Sequence, residues 1–371
     1  MRRAVSAAVL LVSLSCLVSC GSEPPSRAAD HVDRGTSGSP AATGGSAAPS
    51  QPAAGNPAAT ITIAFAGDVH FEGRTEARLN VKAPEQALGP ISRTLAAADL
   101  SVLNLETAIT ERGAPEPKTY TFRTPASSLK VLQDSGVDIV SLANNHAVDF
   151  GPSGLADTLA AKASSPIPVV GFGKNAEEAF AAHVADVKGV KVAVLGASQV
   201  VDLTNQKWRA GADKPGIASA LEADALVKAV QKAKTQAPVV IVYLHWGEEG
   251  VACPTGAQTT LAKRLAGAGA SAVVGTHAHT MLGAGMLGDT YVAYGFGNFL
   301  WYGTSSYANS NETGVTTLTL TGEGKVTGEV FTPAQVNSQG VPAPETGAVA
   351  TASLKRRDGL RGCTGLAAVP K

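Results

Sequence analysis

A series of short apolar runs, rich in Val, Ile and Leu, constrains the fold of this chain more than any other feature. The runs are Ile61–Ala66, Asp99–Leu105, Val137–Ala143, Val190–Leu195, Val239–Leu244, Ala272–Gly275 and Tyr291–Tyr294. Several are nearly continuous rather than alternating, as strands buried on both faces are. Helical patterns lie between them. Ser127 is placed to cap one helix, with Leu129, Val131 and Leu132 on its inner face, and Gly154–Ala163, Leu221–Gln236 and Thr255–Ala266 read the same way. This alternation predicts a layered α/β domain. Val315–Leu320 and Lys325–Phe331, separated by Gly322-Glu323-Gly324, predict a closing hairpin. The last forty residues are weakly patterned.

The first sixty residues have a different texture. Met1-Arg2-Arg3 is a positive start, Ala4–Leu14 is an apolar stretch of signal-peptide length, and Leu17-Val18-Ser19-Cys20 resembles the lipobox of bacterial lipoproteins. That resemblance implies cleavage after residue 19, acylation of Cys20, and an exported protein held by lipid on the outer face of the cell membrane. Residues 20–59 are rich in Ser, Gly, Pro and Ala, with Val32 as the sole branched aliphatic. Such a segment cannot bury enough surface to offset its ordering entropy, and it reads as a tether. The 30 basic and 30 acidic residues cancel, which argues against a nucleic-acid partner. Of four cysteines, Cys16 lies in the leader and Cys20 is the anchor. Cys253 and Cys363 remain, and an oxidising exported setting predicts that they bridge.

The unusual polar residues collect where the apolar runs end. Asp68, His70, Glu106, Asn145, His146, His245, His277 and His279 all lie at or near such ends, and five of the chain's seven histidines are among them. Singly, each has a plainer role as a turn former, cap or packed histidine. Together they predict a metal or catalytic cluster, because open α/β sheets bind ligands beyond the carboxyl ends of their strands. Carboxylates, imidazoles and an amide oxygen suit divalent Mn, Fe, Zn or Co. His277 and His279, two apart on an extended segment, would point in similar directions and address adjacent ions. Two ions about 3.5–4 Å apart can serve an in-line displacement at phosphorus.

The motifs Ala66-Gly67-Asp68-Val69-His70, Asn104-Leu105-Glu106-Thr107, Thr121-Phe122-Arg123-Thr124-Pro125, Ala143-Asn144-Asn145-His146, His245-Trp246-Gly247-Glu248-Glu249, Gly275-Thr276-His277-Ala278-His279 and Gly295-Phe296-Gly297-Asn298 resemble, in order, those of the CapA family of capsule synthesis or poly-γ-glutamate capsule proteins. That family resembles the calcineurin-like metallophosphoesterases. The resemblance covers residues 60–331, leaving 332–371 as a C-terminal tail, and implies a layered β-sandwich flanked by helices. It implies two divalent ions, one held by Asp68, His70 and His279, the other by Asn145, His245 and His277, with Glu106 as the bridge. It further implies His146 as general acid or phosphate-stabilising group and Asp149 as its orienting partner. Arg123 and Asn298 are candidates for binding substrate, and Glu249 and Asn298 for supporting the ligands from behind. The chain departs from the superfamily in having Leu105-Glu106 for the usual Gly-Asp, and Thr276 and Ala278 around its last histidines. The implied activity is metal-dependent hydrolysis or transfer on an anionic cell-envelope substrate. The alternative is a non-hydrolytic accessory role that guides a polymer such as poly-γ-glutamate.

Overall fold

The structure, a computed structural model, describes residues 58–301 and 307–370. The expected leader, Cys20 and nearly all of the tether lie outside the described residues. Two sheets form the centre. In the first, of eight strands, Thr60–Val69 runs parallel to Leu100–Leu105, which runs parallel to Ile139–Ser141 and onward to Val169–Val170. On its other side Thr60–Val69 pairs antiparallel with Glu312–Thr321, followed by Val326–Val336 and Pro342–Pro344. In the second, of six strands, Val190–Ser198, Val239–Trp246, Ala272–His277 and Thr290–Ala293 are parallel, and antiparallel His183–Val187 and Ala284–Leu287 form the edges.

Side-chain parity turns these sheets into layers. Ile61, Ile63, Phe65, Leu100 and Val102 face Val192, Val194, Ile241, Tyr243 and Val274 in one apolar seam between the sheets. On the far side of the first sheet, Ala64, Leu103 and Val140 pack on Leu95, Leu129, Leu132 and Leu155. On the far side of the second, Leu195, Val240, Val242 and Val273 pack on Leu226, Val230, Leu261 and Leu265. The result is helix, sheet, sheet, helix, and each fully buried aliphatic contributes about 1.5–3 kcal/mol. The Tyr243 hydroxyl crosses the seam and donates to the Ala66 carbonyl at 2.5 Å.

The local starts and stops differ in detail from expectation. The helix Ser127–Asp134 has Ala126 at its cap position, and no side chain caps it, so Ser127 is its first residue. Thr255 does cap Gly256–Gly267, in a reciprocal box with Gln258. The expected hairpin forms, but its second strand continues through Phe331 to Val336. The tail beyond is ordered: Gly347–Leu360 is a helix, and Ala367 exchanges backbone hydrogen bonds with Met286 on the second sheet's edge. That helix buries only Ser353, so it carries no apolar stripe for a sequence pattern to reveal. Cys253 and Cys363 are bonded, closing a loop of sequence separation 110.

Opening this bridge with Cys363→Ser should cost about 2–5 kcal/mol. In urea unfolding, reductant should lower the wild-type midpoint and leave the variant's unchanged. Equal midpoints for oxidised wild type and variant would deny the bridge a stabilising role.

Candidate metal centre

A break in parity aims the first two site residues. Up to Phe65 the odd-numbered residues of the first strand face the seam, and Ala64 and Ala66 face the helices. The register then shifts between Phe65 and Asp68, and afterwards Val69 and Phe71 face the helices instead. One extra residue thus turns Asp68 and His70 onto the seam side. Gly67 makes room for this, because a Cβ there would meet the Gly297 carbonyl at 2.0 Å. Gly297 has φ +68°, and its turn seats Asn298 beside Asp68. The neighbouring strand needs no break: Asn104 and Glu106 continue the seam parity of Leu100 and Val102. His245 likewise continues that of Ile241 and Tyr243.

His277 does not follow its strand. Parity sends Thr276 to the seam, where its Oγ1 lies 3.1 Å from His245 Nδ1. His277 reaches the site because its φ is +92°, and His279 follows with φ +53°. The expectation of an extended segment is therefore corrected: two left-handed residues, each a local cost, turn both rings inward. Ala278 between them points into the helix-side core.

The side chains converge tightly. Asn145 Oδ1, His277 Nδ1 and Glu106 Oε1 lie 2.8, 3.1 and 3.4 Å from His245 Nε2. Asn104 Nδ2 donates to Asp68 Oδ1 at 2.7 Å, and the His277 backbone N–H donates to Asp68 Oδ2 at 3.1 Å. His279 Nδ1 faces Asn298 Oδ1 at 2.8 Å. Ligand atoms of Asp68, Glu106 and His245 lie within 4.8 Å of one another, and so do those of Glu106, His277 and His279. Glu106 belongs to both groups. Burial, with the nearby Glu106 carboxylate, pushes the Asp68 carboxyl up to about 6. Burial pushes Glu106 up to about 7, and holds His245 down to about 4 and His277 well below the usual imidazole range.

These residues fit a divalent cation. Both oxygens of the fully buried Glu106 lack a hydrogen-bond donor among the described residues. A buried carboxylate without donors is costly, and a cation between it and the imidazoles removes that cost. Carboxylates, imidazoles and the Asn145 amide are the donors that Mn, Fe or Zn accept.

With this geometry in place, comparison with known proteins gives a family. The bacterial capsule synthesis protein PGA_cap family matches residues 62–302. The chain belongs to the PGA_cap family. It is 28% identical over 244 residues to the PGA biosynthesis protein CapA of Bacillus subtilis, covering 65% of this chain and 63% of that protein. It is 33% identical over 182 residues to the capsule biosynthesis protein CapA of Bacillus anthracis, covering 47% and 42%. A probable polyglutamine synthesis accessory protein of Mycobacterium tuberculosis is 30% identical over 202 residues, covering 52% and 53%. The chain thus spans between 42% and 63% of the length of these relatives. Among solved structures, a 5'-nucleotidase precursor from Thermus thermophilus has TM-score 0.48 and 17% identity, covering 80% of this chain and 58% of that one. A hypothetical protein from the same organism has TM-score 0.47 and 18% identity, covering 74% and 99%. The layered architecture rests on the sheets described above.

Within this PGA_cap chain the expected residues are not placed alike. Asp68, Glu106, Asn145, His245, His277 and His279 meet in the seam. His70 is buried beside them but lies outside both ligand groups, with Nδ1 accepting the Glu72 amide at 3.0 Å. His146 stands at the margin, with Nδ1 2.5 Å from Asp149 Oδ2 and Nε2 3.8 Å from Glu106 Oε1. Arg123 is not brought in: its guanidinium lies 4.8 Å over the Phe150 ring and it lines a neighbouring cavity of about 440 Å³ with Glu72, Glu76 and Glu111. Asn298 is 1% exposed and its amide is used by His279 and the Ser310 carbonyl. It supports His279 and is not open to substrate. Glu249 accepts the Tyr307 hydroxyl at 2.5 Å.

The sequence reading gave no role to Asn104, Thr276, Asn144 or Phe122. Asn144 donates to Asn104 Oδ1 and the Leu105 carbonyl, at 3.0 and 2.8 Å. Phe122 stacks between His70 and His146, at 4.5 and 4.1 Å between centroids. The readable signal was parity: Asn104 sits two before Glu106 and Thr276 two after Val274, on the same faces.

Glu106→Gln should abolish most metal binding, measured by elemental analysis after gentle purification. In metal-free wild type the native Glu106 holds its proton up to about 7, whereas an unfolded glutamate ionises near 4.3. The native state therefore binds more protons between these values, and stability falls as pH rises through that window. Metal-free Glu106→Gln should show a shallower fall between pH 5 and 8. An identical pH slope would mean that Glu106 does not carry the buried charge.

Proposed function

We propose that this chain is an exported, lipid-anchored, metal-dependent hydrolase of phosphoester type, acting on an anionic substrate in capsule or cell-envelope polymer metabolism. The observation that carries the reading is Glu106: a buried carboxylate with no hydrogen-bond donor among the described residues, common to two ligand groups, beside a histidine held by its own carboxylate. Asp68 and His245 would hold one divalent ion and His277 and His279 another, with Glu106 shared between them, Asn145 beside His245 and His70 outside both groups. Such ions supply Lewis-acid stabilisation of phosphoryl oxygens and acidify a water. The chain's own work is done by His146. Asp149 holds its Nδ1, so the unprotonated Nε2 is turned toward the seam and can take a proton from the attacking water and return it to the leaving oxygen. Burial first, and Lys118 second, keep this imidazole well below its usual range, so it stands neutral before substrate arrives.

Hydrolysis of a generic phosphodiester with added Mn²⁺ tests this. His146→Ala should lower the rate by about 10²–10⁴-fold with metal content unchanged. Equal rates for wild type and variant would remove the phosphoesterase reading. The description of the mycobacterial relative favours the second reading, an accessory that binds or guides an anionic polymer. Metal-loaded protein that binds poly-γ-glutamate without cleaving phosphodiesters would select it.

The lipid anchor makes a separate prediction. Cys20→Ser should move the protein from the membrane pellet to the soluble fraction. Unchanged partition would count against acylation at Cys20.

A further inference from the structure

We propose that Lys118 is a positioning residue for His146, an inference that rests on the hydrolase reading above. Its ammonium donates to Asp149 Oδ1 at 2.6 Å and to the Asn145 carbonyl. These acceptors flank His146 in the chain, one residue before it and three after. Lys118 thus pins both ends of the short segment that carries the imidazole. Its side chain is 14% exposed and that of Asp149 is fully buried, so the pair is shielded from bulk screening.

Each acceptor is also held from a second direction. The Asn145 carbonyl accepts the Thr204 hydroxyl at 2.5 Å. Asp149 Oδ2 accepts the Phe122 backbone N–H at 2.8 Å and lies 2.5 Å from His146 Nδ1. Phe122 then stacks on the His146 ring at 4.1 Å, so the residue that steadies Asp149 also sets the plane of the imidazole. The segment bearing Lys118 is itself anchored, because buried Glu116 donates its backbone N–H to the Asp149 carbonyl at 2.7 Å and takes Lys207 and the Trp208 indole on its carboxylate.

The chemistry favours lysine here. A carboxylate and a carbonyl on separate residues need one compact donor with several protons, which an ammonium is and a planar guanidinium is not. Without it, Asp149 loses the Lys118 ammonium from Oδ1 and is freer to turn, and His146 turns with it. Asn145 keeps its Thr204 contact, so the ligand segment remains attached.

The full metal-loaded chain carrying Lys118→Met is compared with wild type. kcat should fall about 10–100-fold, with KM within about twofold and metal content unchanged. In the metal-free protein, NMR should show the His146 Nδ1 proton exchanging with solvent at least tenfold faster than in wild type. Unchanged kcat and unchanged exchange would overturn the proposal. So would a rise in KM at constant kcat, which would make Lys118 a substrate contact. If Lys118→Met fails to fold, Lys118→Gln is read by the same two measurements. Wild type without hydrolytic activity would fail the hydrolase reading alone, because the proton-exchange measurement still decides whether Lys118 holds His146.

Discussion

The shift of register between Phe65 and Asp68 determines where the chemistry of this molecule sits. A strand has a strict period of two, so an unbroken Thr60–Val69 strand would send Asp68 and His70 into the helix-side core. Burying a carboxylate there, among leucines, would be prohibitive. One extra residue reverses the faces at the point where the apolar seam ends. The shift in turn depends on two glycines, Gly67 against the Gly297 carbonyl and Gly297 in a left-handed turn. The same contact fixes Asn298 behind His279, so one backbone crossing positions parts of three segments.

The seam explains why the polar cluster is so deeply buried. Both sheets contribute their strand ends to one rim, and the apolar layer between them closes the cluster from below. Asp68 and Glu106 are fully buried, and the imidazoles nearly so. Low dielectric then raises Asp68 and Glu106 and lowers His245 and His277, and burial is the leading cause of these opposite shifts. The asparagines show how the arrangement stays ordered: Asn144 holds Asn104, Asn104 holds Asp68, and Asn298 holds His279. Neutral amides orient the ligand groups without adding charge to a crowded site.

Most of the layered fold was legible because its strands are buried on both faces and read as continuous apolar runs. The half-exposed edge strand His183–Val187 was not, since its alternating residues look like a loop. It is set by a two-residue turn in which Lys188 and Gly189 both have positive φ. Within the site, residue type and position at strand ends were enough to select Glu106, Asn145 and His245. They could not place Arg123, because its direction depends on a cation–π contact with Phe150, remote in sequence. Nor could they foresee how His277 turns inward, because the apolar run leading into it reads as extended backbone and its φ of +92° departs from that. Asn298 had two candidate roles, and only the fold shows that its amide is already used by His279 and the Ser310 carbonyl, which leaves the supporting one.

The strain at His277 and His279 follows from the same geometry. Thr276 already occupies the seam-facing position of its strand and touches His245, so a regular continuation would bring in one polar side chain from this segment. Two left-handed residues in three bring in two imidazoles instead, with Ala278 anchored in the helix-side core as the pivot. Such conformations cost about 1–3 kcal/mol each and persist where surrounding structure over-determines them. Here that structure is the Asp68 carboxylate accepting the His277 amide, and Asn298 gripping the His279 ring and its carbonyl. Both holding residues belong to the crossing set up by Gly67 and Gly297. The bulge that aims the acids and the turns that aim the histidines are therefore one mechanical unit, and a change at either glycine would loosen both.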